Sequence, residues 1–152
     1  MSNKIIAIVP AGIHADPDKL IHGKNKAFLE INGKPIILNV LQALQNSSLI
    51  SRIGVVGPKK ELEKVILEKD GIKIINQSLA PKESRRFIEN YISGANALSQ
   101  NSERILYVMA DLPSITSKTI DNFILETEKY NAHFNFGMIN VRNIPKEIEI
   151  RG

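Results

Sequence analysis

Four short segments of the chain are almost wholly apolar: KIIAIV (residues 4–9), RIGVVG (52–57), IKII (72–75) and RILYVMA (104–110). Unbroken apolar runs, as opposed to alternation of apolar and polar residues, predict strands buried on both faces of a parallel sheet. Between them the hydrophobic period lengthens to that of a helix. From Pro35, well suited to a first helical position, Ile37, Val40, Leu41 and Leu44 share one face. PKKELEKVILEKD (58–70) predicts a charged helix with a seam of Leu62, Val65 and Ile66, and Gly71 just beyond its end. Phe87, Ile88, Tyr91, Ile92, Ala95 and Leu98 predict a third helix. A fourth starts from Thr116 as N-cap, with a seam of Ile120, Phe123, Ile124 and Tyr130. Two further strands are expected, KAFLEI (26–31) and FNFGMINV (134–141), with NGKP (32–35) as a tight turn whose Asn-Gly supplies positive φ. Strands alternating with helices give the expected fold class: α/β, a doubly wound, mostly parallel sheet with helices on both faces, in a single domain over residues 1–152.

Composition narrows the function classes. Of 152 residues, 43% are hydrophobic, enough for one sizeable core, and only 5% are aromatic, which gives single-stranded nucleic acid little to stack on. The net charge is +4, but acids and bases alternate, as in KKELEK and KESRRFIE, so no basic stripe follows a nucleic-acid backbone. The surplus suits small phosphorylated ligands. There is no cysteine, which excludes disulfides and thiolate metal sites. IIAIV is too short to span a bilayer and leads directly into polar residues, so neither a membrane nor a nucleic-acid partner is expected and the protein is placed in the cytoplasm.

In an open parallel sheet, ligands bind beyond the carboxyl ends of the strands. PAGIHAD follows the first strand and DLPSIT follows ILYVMA, so these two segments are the places to look. The dinucleotide pattern GxGxxG and the phosphate-loop pattern GxxxxGK[ST] are both absent, with Gly12 the only glycine among residues 1–22. Asp111 ends a buried strand, and Pro113 holds Leu112 extended behind it, which keeps the carboxylate at the sheet edge. One carboxylate is enough to begin a Mg2+ site when nucleotide phosphates and water fill the remaining positions; an aspartate there equally caps turns. Lys26 is placed either to neutralise charge on a transferring phosphoryl group or simply to be solvated, as are Lys19, Lys24 and Lys34. His14 and His22 lack a third ligand and read as ordinary loop histidines. Arg85 and Arg86 open a helix among acids and read as a solvated face, although the loop before them lies at the same sheet edge.

Taken together, three segments resemble the MobA-like nucleotidyltransferases, part of a wider group that includes sugar-phosphate nucleotidyltransferases. AIVPAGIHADPDKLIHGKNKAFLEINGKPIILNVLQAL is similar to that family's pattern of apolar strand, "LAGG", variable loop, "PKAL", "GKP" and helix. INQSLAPKESRRFIENYISGANAL is similar to its middle loop and "eN…G" helix, and ILYVMADLPSITSKTIDNFI to its "gDlP" segment. The resemblance runs over roughly residues 4–130 in the correct order.

The resemblance implies a nucleoside triphosphate and a phosphorylated small-molecule acceptor as partners, Mg2+ as cofactor, and pyrophosphate as leaving group. Residue by residue, it implies that backbone amides of Ala11 and Gly12 face the phosphates, that Lys26 stabilises their charge, and that Asp111 binds Mg2+. Lys26 and Asp111 are thereby the expected catalytic residues, and the region around residues 76–84 is expected to meet the base. The sequence departs from the pattern where Ile13 replaces the second glycine and where "NK" replaces "PK", and the loop arginine of many members has no clear counterpart. Members of the family run on beyond the point where this sequence stops, so the domain is expected to be C-terminally incomplete and slow or inactive in turnover. The alternative is a non-catalytic nucleotide-binding or regulatory domain on the same scaffold. A receiver-type domain with Asp111 as phosphoacceptor ranks last, since PAG supplies no acid after the first strand.

Overall fold

The computed structural model describes residues 5–12, 25–66, 71–79, 83–99, 104–130, 132–135 and 137. Four parallel strands, β1 (Ile5–Pro10), β4 (Ile50–Gly57), β5 (Ile72–Asn76) and β6 (Ile105–Tyr107), form a sheet in the order β5-β4-β1-β6. The unbroken apolar run of β1 is explained by its central place. Ile5, Ala7 and Val9 point into one core and Ile6 and Ile8 into another, so every position needs an apolar side chain. Fully burying one such isoleucine contributes about 1.5–3 kcal/mol.

The larger core packs this face against Ile37, Val40, Leu41 and Leu44 of α1 (Ile36–Gln45), Ile120 and Ile124 of α4 (Ser117–Thr127), and Leu62 of α2 (Lys59–Val65). On the opposite face Ile6, Ile8 and Val56 meet Leu98 of α3 (Glu83–Leu98). Helices therefore cover both faces, as the sequence predicts. At Gly94 a Cβ would lie only 2.7 Å from Ile8 Cγ2, so the absent side chain lets α3 settle close onto the sheet.

Several expected elements differ. KAFLEI is not one strand: Lys26–Phe28 is a single 3-10 turn, and only Glu30–Ile31 (β2) pairs, antiparallel, with Lys34–Pro35 (β3). The cause is Asn25, whose side chain accepts the Ala27 amide and starts the turn. The hairpin turn is as predicted, with φ of 52° at Asn32 and 74° at Gly33. Helix α2 stops at Val65 because Ile66 is extended (φ −117°, ψ 126°), and residues 67–70 lie outside the described set.

The face of α3 also differs. It turns Asn90, Gly94 and Leu98 inward, leaving Phe87, Ile88 and Ile92 exposed, although the seam was expected to include all three. Tyr91 stacks edge-on between Phe87 and Tyr107. Regular pairing of β6 ends at Tyr107, with Val108 adding one amide bond to the Ile8 carbonyl. Tyr130 is exposed and outside the α4 seam. Of the expected strand at 134–141, Phe134, Asn135 and Gly137 lie in no regular element, and the rest is outside the described residues. Among the described residues, no helix is long and apolar enough to cross a membrane.

Candidate functional site

Strand order runs outward from β1 through β4 to β5, then returns to the other side of β1 for β6. The crevice at such a reversal, beyond the carboxyl ends of β1 and β6, is the general ligand position in open α/β sheets. Ala11 and Gly12 leave β1 at that edge, and Asp111 follows Ala110 a few residues beyond β6. The Asn25–Lys26 turn closes over the same place.

Lys26 Nζ stands 3.9 Å from Asp111 Oδ2, with side chains 60% and 36% exposed. An ion pair so open to water contributes on the order of 0–1 kcal/mol to stability, so bracing the fold does not account for it. What the pair does provide is a cation and a carboxylate held side by side at the sheet edge and accessible from solvent.

The first loop differs from expectation in one respect. The Ala11 amide donates to the Val56 carbonyl at 2.7 Å, which continues the β1–β4 ladder by one bond. That N–H is spent on the sheet, so Ala11 does not offer it to a phosphate in this arrangement. Gly12, partly exposed, is the loop residue whose amide the site can use. A Cβ at Gly12 would lie 3.2 Å from Asn90 Nδ2 and 3.4 Å from Gln77 Oε1, so two side-chain amides border it closely.

Reading the sequence missed Asn25 and Asn90, and it placed Gln77 only within the region around residues 76–84 expected to meet the base. Asn25 Nδ2 donates to the Ala11 carbonyl (2.8 Å) and the Gly12 carbonyl (3.2 Å). Asn90, buried on α3, accepts the Ser78 amide at 2.6 Å, and Gln77 donates its own amide to the Gly57 carbonyl at 2.9 Å, so the loop after β5 is anchored on two sides. Glu89 accepts from the Ser78 hydroxyl and from Arg85 Nε, in that order of effect, which holds its carboxyl below the usual carboxylate range. A signal for Asn90 existed: a polar residue at i with Gly at i+4 and Leu at i+8 is a buried stripe.

Lys34 lies in the β2–β3 hairpin. Ile13, His14, Lys19, His22 and Lys24 are outside the described residues. Among the described residues no group of three or more metal-binding side chains occurs. Among the described residues the donor set is one half-buried carboxylate, which fits a Mg2+ that arrives with phosphate and water ligands and does not fit a dedicated protein cage.

A reversed-order parallel sheet with a glycine, a lysine and an aspartate on separate segments at its ligand edge defines a doubly wound α/β domain. Residues 21–136 match the sequence model of the MobA-like NTP transferase domain, and the chain belongs to that family. The match takes in Lys26 and Asp111 and begins after Ala11 and Gly12. The chain is 32% identical over 114 residues to 2-C-methyl-D-erythritol 4-phosphate cytidylyltransferase of Clostridium botulinum (strain Eklund 17B / Type B), covering 72% of this chain and 48% of that protein. It is 32% identical over 124 residues to a protein of Pyrococcus horikoshii named probable molybdenum cofactor guanylyltransferase, covering 81% and 56%. The chain thus spans about half the length of these relatives. In fold it is similar to CMP:2-keto-3-deoxy-manno-octonic acid synthetase, solved with CTP, at a TM-score of 0.61 and 17% identity over 83% of this chain and 48% of that one.

Proposed function

We propose that this chain is the nucleotide-binding part of a nucleotidyltransferase that joins a nucleoside monophosphate to a phosphorylated small-molecule acceptor. The observation that carries the reading is the approach of Lys26 Nζ to within 3.9 Å of Asp111 Oδ2 at the ligand edge of the sheet. In the reaction, an acceptor phosphate oxygen forms a bond to the α-phosphorus of a nucleoside triphosphate. The bond from the α-phosphorus to the bridging oxygen breaks, and pyrophosphate leaves with the electron pair. The protein has little covalent work here; positioning and charge stabilisation set the rate.

Lys26 places a positive charge against the phosphates, and the Gly12 amide donates to a phosphate oxygen. Asp111 is the residue that would hold Mg2+, which when bound supplies neutralisation of phosphate charge. Gln77, at the start of the loop after β5, borders the nucleotide. The relatives' names point to a cytosine or a guanine nucleotide. CTP and GTP are therefore the two to compare.

The engaged Ala11 amide favours a second reading, a domain that binds nucleotide without turning it over. Titration calorimetry with Mg2+-CTP and Mg2+-GTP tests the site, and pyrophosphate release with a sugar phosphate separates the two readings. Asp111→Ala is expected to abolish Mg2+-dependent binding while leaving the unfolding midpoint near the wild-type value. Unchanged affinity in that variant overturns the assignment.

A further inference from the structure

The side chain of Asn25 uses both of its donor hydrogens and its acceptor oxygen on the ligand edge. Nδ2 donates to two consecutive carbonyls, Ala11 at 2.8 Å and Gly12 at 3.2 Å, while Oδ1 accepts the Ala27 amide at 3.1 Å. In a trans peptide the C=O and the following N–H point in opposite directions. Drawing the Ala11 carbonyl toward Asn25 therefore turns the Gly12 N–H away from it. The Val56 carbonyl fixes the preceding Pro10–Ala11 peptide plane through the Ala11 amide, and Asn25 holds the next two planes by the Ala11 and Gly12 carbonyls. The bond at Oδ1 begins the turn whose first residue is Lys26, and that lysine reaches Asp111. One neutral amide thus sets both the amide-bearing loop and the lysine.

We propose that Asn25 is a positioning residue: a clamp that orients the Gly12 amide and Lys26 together toward a bound phosphate. This rests on the nucleotide reading of the site for its purpose, and on the geometry alone for the clamp itself. It also accounts for the "NK" sequence, because a proline before the lysine could neither donate to the two carbonyls nor accept the Ala27 amide. An aspartate would keep the acceptor and lose the donor, setting a carboxylate against two carbonyl oxygens.

Asn25→Ser separates capping from clamping, because a serine retains the N-cap acceptor and is too short to hold both carbonyls. Asn25→Ser is expected to fold with a urea midpoint lowered only by the loss of its two carbonyl bonds, and to weaken Mg2+-CTP or Mg2+-GTP binding by about tenfold or more. In turnover with a phosphorylated acceptor, the loss is expected in kcat as well as in KM, since Lys26 is displaced along with the loop. Combining Asn25→Ser with Lys26→Met is expected to cost much less than the product of the two single effects, because both act through one arrangement.

Backbone 15N relaxation in the ligand-free protein tests the clamp independently of any nucleotide. The Gly12 amide is expected to have an order parameter near the rigid-backbone value of about 0.85 in the wild type and below about 0.6 in Asn25→Ser. A wild-type protein with no affinity for any nucleoside triphosphate removes the nucleotide reading, and the relaxation result then decides the clamp. Wild-type binding matched by Asn25→Ser, or an unchanged Gly12 order parameter, overturns the clamp and leaves the nucleotide reading in place. Should Asn25→Ser fail to fold, Asn25→Asp makes the same separation through its retained acceptor, and a wild-type order parameter at Gly12 in that variant overturns the proposal.

Discussion

Gly57 ends β4 directly beneath the first loop. A methyl group there would lie 2.7 Å from the Ala11 carbonyl oxygen, 3.1 Å from the Ala11 carbonyl carbon and 2.9 Å from Leu62 Cδ1. Leu62 can turn its terminal methyl aside, but the Ala11 contacts are with backbone and yield only if the loop moves. Reaching ordinary contact at 3.4 Å needs a shift of about 0.7 Å at the same carbonyl that accepts the Asn25 amide. Overpacking of this kind costs about 1–3 kcal/mol. Replacing glycine by alanine at a φ it tolerates returns roughly 0.4–1 kcal/mol through the unfolded chain.

For Gly57→Ala we therefore expect a net loss of about 1–2 kcal/mol, which is roughly 2–8 °C in Tm for a chain of this size. Strain or loss of the Asn25–Ala11 bond, worth about 0.5–1.5 kcal/mol, should weaken nucleotide binding roughly 2- to 10-fold. Urea unfolding at constant m and calorimetry with Mg2+-CTP or Mg2+-GTP read the two effects separately. A Tm within about 1 °C of wild type refutes the packing argument. A lowered Tm with unchanged affinity shows that the loop shift leaves the binding groups in place and that Gly57 does not set the site.

Two other outcomes follow from local geometry. Thr116 caps α4 by accepting the Thr119 amide at 3.1 Å, so Thr116→Ala is expected to lower stability by about 1 kcal/mol in urea, and a change near zero would show the cap is idle. Burial pushes the Asp121 carboxyl up, but the Ser47 hydroxyl, the Ser48 amide and hydroxyl and the Leu49 amide outweigh it, and the group titrates below its ordinary value. Its stabilisation is thus complete above about pH 4 and lost as pH falls through the lowered folded value; Asp121→Asn should flatten the urea midpoint against pH in this acid range, and parallel curves would contradict the assignment.

Strands β1 and β4, helix α1, the Asn-Gly hairpin and the Thr116 cap were legible because each is written locally, in a run, a period or a turn pair. The 3-10 turn at Lys26 was not, because AFL reads as strand until Asn25 is seen to cap it. The inward face of α3 was misread for a related reason. Its packing stripe is Asn90, Gly94 and Leu98, where a small and a polar residue are used for close approach, while the larger apolar side chains stay outside. At the site, Lys26 and Asp111 were found from strand ends and the family resemblance. The use of the Ala11 amide could not be, because it depends on the register that sets Pro10 beside Val56.

The central position of β1 also governs when the protein can fold. One side of it pairs with β4, but Ile6 waits for Ile105, about 100 residues later in the chain, before its other side is covered. From the completion of β4 at Gly57 to Ile105 is about 50 residues, so at a ribosomal rate of about 5–20 residues per second a wholly apolar strand keeps one open edge for roughly 2–10 seconds of synthesis. The strand on which the ligand edge depends thus precedes the other described strands in synthesis and is among the last of them to be enclosed. Its exposure during translation makes β1 the segment where an early chaperone would be expected to bind.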